Sequence, residues 1–146
     1  MRREEFIRIS CYASAGIPLF AGMLQSCSGI YYASTRTDHN KIIVPRSEFI
    51  FTKKGTTAFR DYVMVRTPGN NFPICLFKIE GSNYVASLLQ CTHKGCELNV
   101  GGGIYSCPCH GSEFSTKGEV LEGPAIDNLL TYTTSSDEEN IYIHVH

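Results

Sequence analysis

Cys91-Thr92-His93-Lys94-Gly95-Cys96 and Cys107-Pro108-Cys109-His110-Gly111-Ser112 gather four of the chain's seven cysteines and two of its five histidines into 22 residues. A thiol becomes a strong ligand only once deprotonated, which a metal or a positive field achieves at neutral pH, whereas a neutral imidazole donates without adding charge. Cys91-x-His93 and Cys107-x-x-His110 together offer two thiolates and two imidazoles. Each box follows a strand-like stretch, so a short hairpin can bring both tips around one centre. A tetrahedral zinc ion would accept that set. It would leave Cys96 and Cys109 without a task.

The same four ligands suit a [2Fe-2S] cluster in which two cysteines hold one iron and two histidines the other. Replacing two anionic thiolates by neutral imidazoles leaves the oxidised cluster nearly neutral, which eases acceptance of an electron. Both boxes resemble the cluster-binding boxes of the high-potential Rieske proteins, which include the iron–sulfur subunits of cytochrome bc and b6f complexes and the small subunit of arsenite oxidase. The resemblance runs from about Tyr84 to Asn128. It implies one Rieske [2Fe-2S] cluster per chain, with Cys91 and Cys107 on the inner iron and His93 and His110 on the outer, exposed one. It also implies a Cys96–Cys109 disulfide between the loops. The Rieske ferredoxins of ring-hydroxylating oxygenases usually lack that second cysteine pair.

Further residues carry implied tuning roles. Ser112 stands where the family donates a hydroxyl hydrogen bond to a cluster sulfide, which favours the more negative reduced state. Phe114 stands where respiratory members usually have a tyrosine that donates to a ligand cysteine. The expected midpoint therefore lies in the upper half of the Rieske range of about −150 to +300 mV, below that of tyrosine-bearing members. Gly123-Pro124-Ala125 resembles the proline loop that covers the cluster; its plain alternative is a turn between strands.

The function implied is one-electron transfer, as the iron–sulfur subunit of a quinol-oxidising, cytochrome bc-like membrane chain that donates to a cytochrome c. One alternative is the small subunit of a periplasmic oxidoreductase of arsenite oxidase type, fed by a partner's molybdenum centre. Another is a zinc-binding structural lipoprotein. No substrate turnover is expected of the chain alone, because no flavin, haem or substrate-binding signature accompanies the boxes.

The elements that must position these boxes read as strands. Runs rich in β-branched and aromatic residues recur between Gly, Pro and Asn punctuation. They are Ile42–Val44, Glu48–Thr52, Tyr62–Arg66, Ile74–Ile79, Tyr84–Gln90, Ile104–Ser106, Glu119–Leu121, Asn128–Thr133 and Ile141–Val145. This predicts an all-β fold, a Rieske-like antiparallel sandwich carrying a small two-loop cluster subdomain. Gly101-Gly102-Gly103 reads as a hairpin tip, as does the acidic run Asp137 to Glu139. Cys75 shares a strand face with Phe77 and Ile79, which predicts a buried, inert thiol.

The amino terminus reads as an address. Arg2-Arg3-Glu4-Glu5-Phe6-Ile7-Arg8 precedes a stretch with no Asp, Glu, Lys or Arg until Arg36, the layout of an export signal. Arg2-Arg3 with Phe6-Ile7 resembles a twin-arginine signal, although two residues separate Arg3 from Phe6 where that pattern usually has one. Leu24-Gln25-Ser26-Cys27 resembles a lipobox, with Cys27 as the lipidated first residue of the mature chain. The alternative is an uncleaved membrane anchor, which Gly16, Pro18 and Gly22 make less suitable. The expected division is a signal over residues 1–26, a polar tether over 27–41 and the Rieske domain over 42–146. Both readings put that domain on the extracytoplasmic, periplasmic face of a bacterial membrane.

Composition narrows the partners. A chain of 146 residues is one domain and needs no disulfide lattice to hold a core. Net charge is −1 and the thirteen Lys and Arg are spread along the chain, which argues against a nucleic-acid partner. Cys11 falls in the signal. His39, His144 and His146 lie away from the boxes and read as solvated.

Overall fold

The computed structural model describes residues 29–67 and 69–145. Thirteen strands follow in chain order: β1 (Arg36–Asp38), β2 (Lys41–Pro45), β3 (Ile50–Lys53), β4 (Thr56–Phe59), β5 (Tyr62–Val65), β6 (Ile74–Lys78), β7 (Tyr84–Leu88), β8 (Asn99–Gly101), β9 (Ile104–Ser106), β10 (Glu113–Ser115), β11 (Val120–Glu122), β12 (Thr131–Ser136) and β13 (Asn140–His144). One 3-10 turn, Arg46–Phe49, separates β2 from β3.

The strands form three antiparallel sheets. The largest runs β1-β2-β13-β12-β7-β6-β5, the second β11-β10-β9-β8, and β3-β4 is a separate hairpin. The all-β antiparallel architecture is the expected one. Ile42, Val44, Val63, Leu76, Ile141 and Ile143 fill the core enclosed by the large sheet. Strands β5 and β6 are buried on both faces. Val63, Ile74 and Leu76 point into that core, while Met64 and Cys75 point the other way, into a second core shared with the four-stranded sheet. Successive side chains on a strand alternate faces, so burial of both faces explains why Tyr62–Val65 and Ile74–Phe77 read as unbroken apolar runs.

Several elements differ from the sequence expectation. Glu48 and Phe49 lie in the 3-10 turn, so the strand expected over Glu48–Thr52 starts at Ile50. The strand expected from Asn128 starts at Thr131; the N–H of Leu129 donates to Gly118 O at 2.8 Å, and Leu130 O accepts from Leu88 N–H at 2.9 Å. Strands β1, β4, β8 and β10 carried too little apolar alternation to be read. β1 is fully exposed, and β4 is a hairpin partner turned by Lys54 and Gly55 at φ 50° and 78°.

The polar tether expected over residues 27–41 is corrected for its described part. The Met64 N–H donates to Tyr31 O at 2.9 Å, the Ala33 N–H donates to Met64 O at 2.8 Å, and β1 pairs with β2. Polar side chains here do not mean a free chain, because the backbone supplies the hydrogen bonds and Tyr32 and Ala33 pack against the cores. The signal, Cys11, Cys27 and His146 lie outside the described residues.

Candidate metal centre

The two boxes fold into loops with one hydrogen-bond pattern. The Cys91 N–H donates to Cys96 O at 2.8 Å, and the Gly95 N–H returns to Cys91 O at 2.8 Å. In the second loop the Cys107 N–H donates to Ser112 O at 2.8 Å, and the Gly111 N–H returns to Cys107 O at 3.0 Å. Gly95 and Gly111 sit at φ 74° and 79°, in the left-handed region that glycine enters without steric cost. Each loop thus reverses on a glycine four residues after its first cysteine. The first loop leaves the end of β7, and the second joins β9 to β10.

Cys96 and Cys109 form a disulfide that ties one loop to the other. The sulfurs of Cys96, Cys107 and Cys109 lie within 4.8 Å of one another, but those of the disulfide carry no thiolate to give. Cys91 and Cys107 remain free and buried. His93 is half-buried and His110 exposed, with ring centroids 5.0 Å apart at an interplanar angle of 84°.

His93 Nδ1 is buried and has no hydrogen-bond partner. Buried polar atoms are nearly always satisfied, so this nitrogen is shaped for a group the polypeptide does not supply. Burial alone would push the Cys107 thiol up, yet the backbone N–H groups of Cys109 and His110 and the Cys91 side chain outweigh it and hold the thiol below its usual range. Two buried free thiols and an unpartnered imidazole nitrogen, carried on two disulfide-linked loops, fit a cluster with two sulfur and two nitrogen ligands.

The loops are braced from a third side. Ser112 is fully buried, and its Oγ accepts the Ala125 N–H at 3.0 Å. The Thr92 hydroxyl donates to Asp127 O at 2.7 Å. Segment 123–127 is therefore fastened to both loops. Within it Gly123 and Pro124 are exposed, and Ala125 is the residue that packs into the core with Cys91, Cys107 and Phe114. Phe114 is fully buried.

Sequence reasoning missed four supports here: Gly95, Gly111, Thr92 and Tyr105. The glycines were legible as equal offsets from Cys91 and Cys107. Tyr105 is buried under the loops, its hydroxyl donating to Thr116 O at 3.3 Å. Cys75 lies beside it as a buried thiol pushed up to about 12 by burial, partly offset by a hydrogen bond with Tyr105. Away from the boxes, His39 is exposed and His144 Nε2 lies 2.8 Å from Ser135 Oγ.

The family model of the Rieske [2Fe-2S] domain matches residues 51–133, more than half of the chain. The chain belongs to the Rieske [2Fe-2S] family. Its cofactor is accordingly the Rieske [2Fe-2S] cluster. Curated relatives of this Rieske protein include the cytochrome b6-f complex iron-sulfur subunit of Synechococcus sp. strain JA-2-3B'a(2-13), 42% identical over 53 residues, covering 35% of this chain and 31% of that one. The subunit of the same name from Synechococcus sp. strain CC9605 is 34% identical over 70 residues, covering 44% and 39%. The matches thus span about a third of these relatives' length. The crystal structure of the cyanobacterial plasma membrane Rieske protein from Synechocystis PCC 6803 matches with a TM-score of 0.52 and 35% identity, covering 58% of this chain and 87% of that one. These likenesses put the protein with Rieske proteins of the bc and b6f type.

Proposed function

We propose that this Rieske protein is a one-electron carrier whose cluster is held by Cys91 and Cys107 through sulfur and by His93 and His110 through nitrogen, as the iron–sulfur component of a quinol-oxidising, cytochrome bc-like membrane chain. The observation that carries the ligand set is the buried, unpartnered Nδ1 of His93 in a centre with two free buried cysteines. When bound, the cluster supplies reversible one-electron transfer at a potential raised by its imidazole ligands.

The chain's own residues do the rest. Burial of Cys91, Cys107 and Phe114 keeps water from the sulfur side, and the disulfide holds the histidine-bearing loops in one arrangement. Exposed His110 and half-buried His93 present the outward side to a donor or acceptor.

The amino-terminal signal supports an extracytoplasmic domain fastened to the membrane, through a lipid on Cys27 or an uncleaved apolar segment. Among the described residues no helix is long and apolar enough to cross a membrane. Relatives named as cytochrome b6-f subunits favour cytochrome partners over the molybdenum partner of an arsenite-oxidase-type enzyme.

Anaerobic redox titration of the purified protein, with metal analysis and electron paramagnetic resonance of the reduced form, tests the centre. Two irons per chain and a Rieske spectrum are expected; a single zinc overturns the reading. Quinol and cytochrome c assays on native membranes then test the partners, and a co-purifying molybdenum subunit overturns the cytochrome assignment.

A further inference from the structure

The Cys107 sulfur lies within 4.8 Å of both sulfurs of the Cys96–Cys109 disulfide. It belongs to a free, buried thiol, and the backbone N–H of Cys109 donates to it, which seats it over the loop that carries one end of the bond. Among the described residues the other free thiols, Cys75 and Cys91, do not belong to this three-sulfur group. The fold therefore places a nucleophile and a disulfide side by side. Thiol–disulfide exchange needs only a thiolate with access to a disulfide sulfur.

The two ends of the bond are unequal targets. Cys109 is exposed and shares the second loop with Cys107, two residues away, whereas Cys96 is half-buried in the first loop. A bond between Cys107 and Cys109 closes inside one loop and needs no movement of the other. It also leaves the backbone contacts of that loop in place, from Cys107 N–H to Ser112 O and from Gly111 N–H to Cys107 O.

We propose that iron on Cys107 is what preserves the disulfide between the loops: released from iron, the Cys107 thiolate attacks Cys109 Sγ and displaces Cys96. This rests on Cys107 as a cluster ligand, argued above. In the step, a Cys107–Cys109 bond forms and the Cys96–Cys109 bond breaks with its electron pair on Cys96 Sγ. Cys96 takes up the proton that Cys107 gave up, and nothing is oxidised or reduced overall. The product has lost a sulfur ligand and the covalent tie between the loops together. Cluster loss thus becomes a one-way event, and insertion of the cluster has to come before oxidation of Cys96 and Cys109.

The test starts from the full-chain, cluster-loaded protein with oxygen excluded. One half stays loaded and the other is stripped by warming with an iron chelator at about pH 8.5, where an ordinary thiol is half ionised. Aliquots are quenched with N-ethylmaleimide in acidic denaturant and cut after Lys94, Glu97 and Glu113, which separates Cys96 from Cys107 and Cys109. Mass spectrometry should find the label on Cys107 in loaded protein, and most of it moved to Cys96 within hours of stripping, the range of uncatalysed disulfide rearrangement. The rate should not depend on protein concentration; a rate that rises with it overturns the step within one chain. Cys91→Ser and Cys107→Ser each remove one sulfur ligand, but only C91S keeps the nucleophile, so C91S should carry a labelled Cys96 and C107S an intact Cys96–Cys109 bond. Equal rearrangement in both overturns the role of Cys107, and label arriving on Cys109 overturns the choice of attacked sulfur. Stripped protein that keeps Cys96 bonded to Cys109 overturns the exchange and leaves the ligand assignment standing. A C107S chain that still takes up two irons and shows the Rieske spectrum overturns the ligand assignment and the exchange with it.

Discussion

The backbone N–H of Ala125 donates to the buried Ser112 Oγ at 3.0 Å, joining the 123–127 segment to the second cluster loop through one hydroxyl. With its lone pair engaged there, the Ser112 O–H is free to donate elsewhere. Ser112→Ala removes both functions. It leaves the Ala125 amide without an acceptor in a buried site, a loss of about 1–3 kcal/mol. It also removes a hydroxyl donor from the centre, which lowers the midpoint. Denaturant unfolding and redox titration of the same sample check the two effects separately; a midpoint equal to wild type would remove Ser112 from the tuning residues.

Phe114 is fully buried in the core that holds Cys91 and Cys107. Phe114→Tyr brings a phenol donor into that core, and with a ligand sulfur as acceptor the midpoint rises. A hydroxyl that finds no acceptor instead costs about 1–3 kcal/mol of stability. A raised midpoint with stability retained is expected, and an unchanged midpoint sinks the attribution.

The matched glycines should respond alike. A Cβ at Gly111 meets nothing within 4 Å, and one at Gly95 meets only Gln90 Nε2 at 3.4 Å, so crowding is slight at both. What remains is the left-handed backbone, which costs a side chain about 1–2 kcal/mol. Gly95→Ala and Gly111→Ala should each lose that amount and release cluster faster on warming, read as decay of the visible absorption. A loss confined to one variant would show that the loops are not equivalent.

Cys75 gives the protein an alkaline limit. Its thiol ionises near 9.0 when unfolded and is pushed up to about 12 by burial in the fold. The folded state therefore holds this proton more tightly: its contribution is complete below pH 9 and is lost as pH climbs towards 12. The loss approaches about 1.4 kcal/mol per pH unit. Burial also raises Tyr105, which acts in the same direction. Cys75→Ala should flatten the fall in stability between pH 9 and 12 without abolishing it, measured by urea unfolding at stepped pH. An unchanged slope would remove the thiol from this role.

Much of the centre was legible in the chain because its chemistry is local. Cys91, His93, Cys107 and His110 stand out by type and spacing, and the hairpin tips at Gly102 and Asp137 announce themselves through turn residues. The supports were less legible because each depends on a distant partner. Thr92 matters through the carbonyl of Asp127, 35 positions on, and Tyr105 through burial beneath loops that come from either side of it. The tether expectation failed for a related reason. Hydropathy reports side chains, whereas residues 31–38 are held by backbone hydrogen bonds to Met64 and β2.

The sequence by itself determined the kind of centre, since ligand identity and spacing are covalent properties of two short segments. Tertiary structure alone decided that Ala125 packs into the core with Cys91 and Cys107 while Pro124 stays exposed, because the Ser112 hydroxyl accepts the Ala125 amide. It alone decided that His93 keeps a buried, unpartnered ring nitrogen while His110 meets solvent. Burial is set by what packs around a residue, and here the packing comes from segments far apart in the chain.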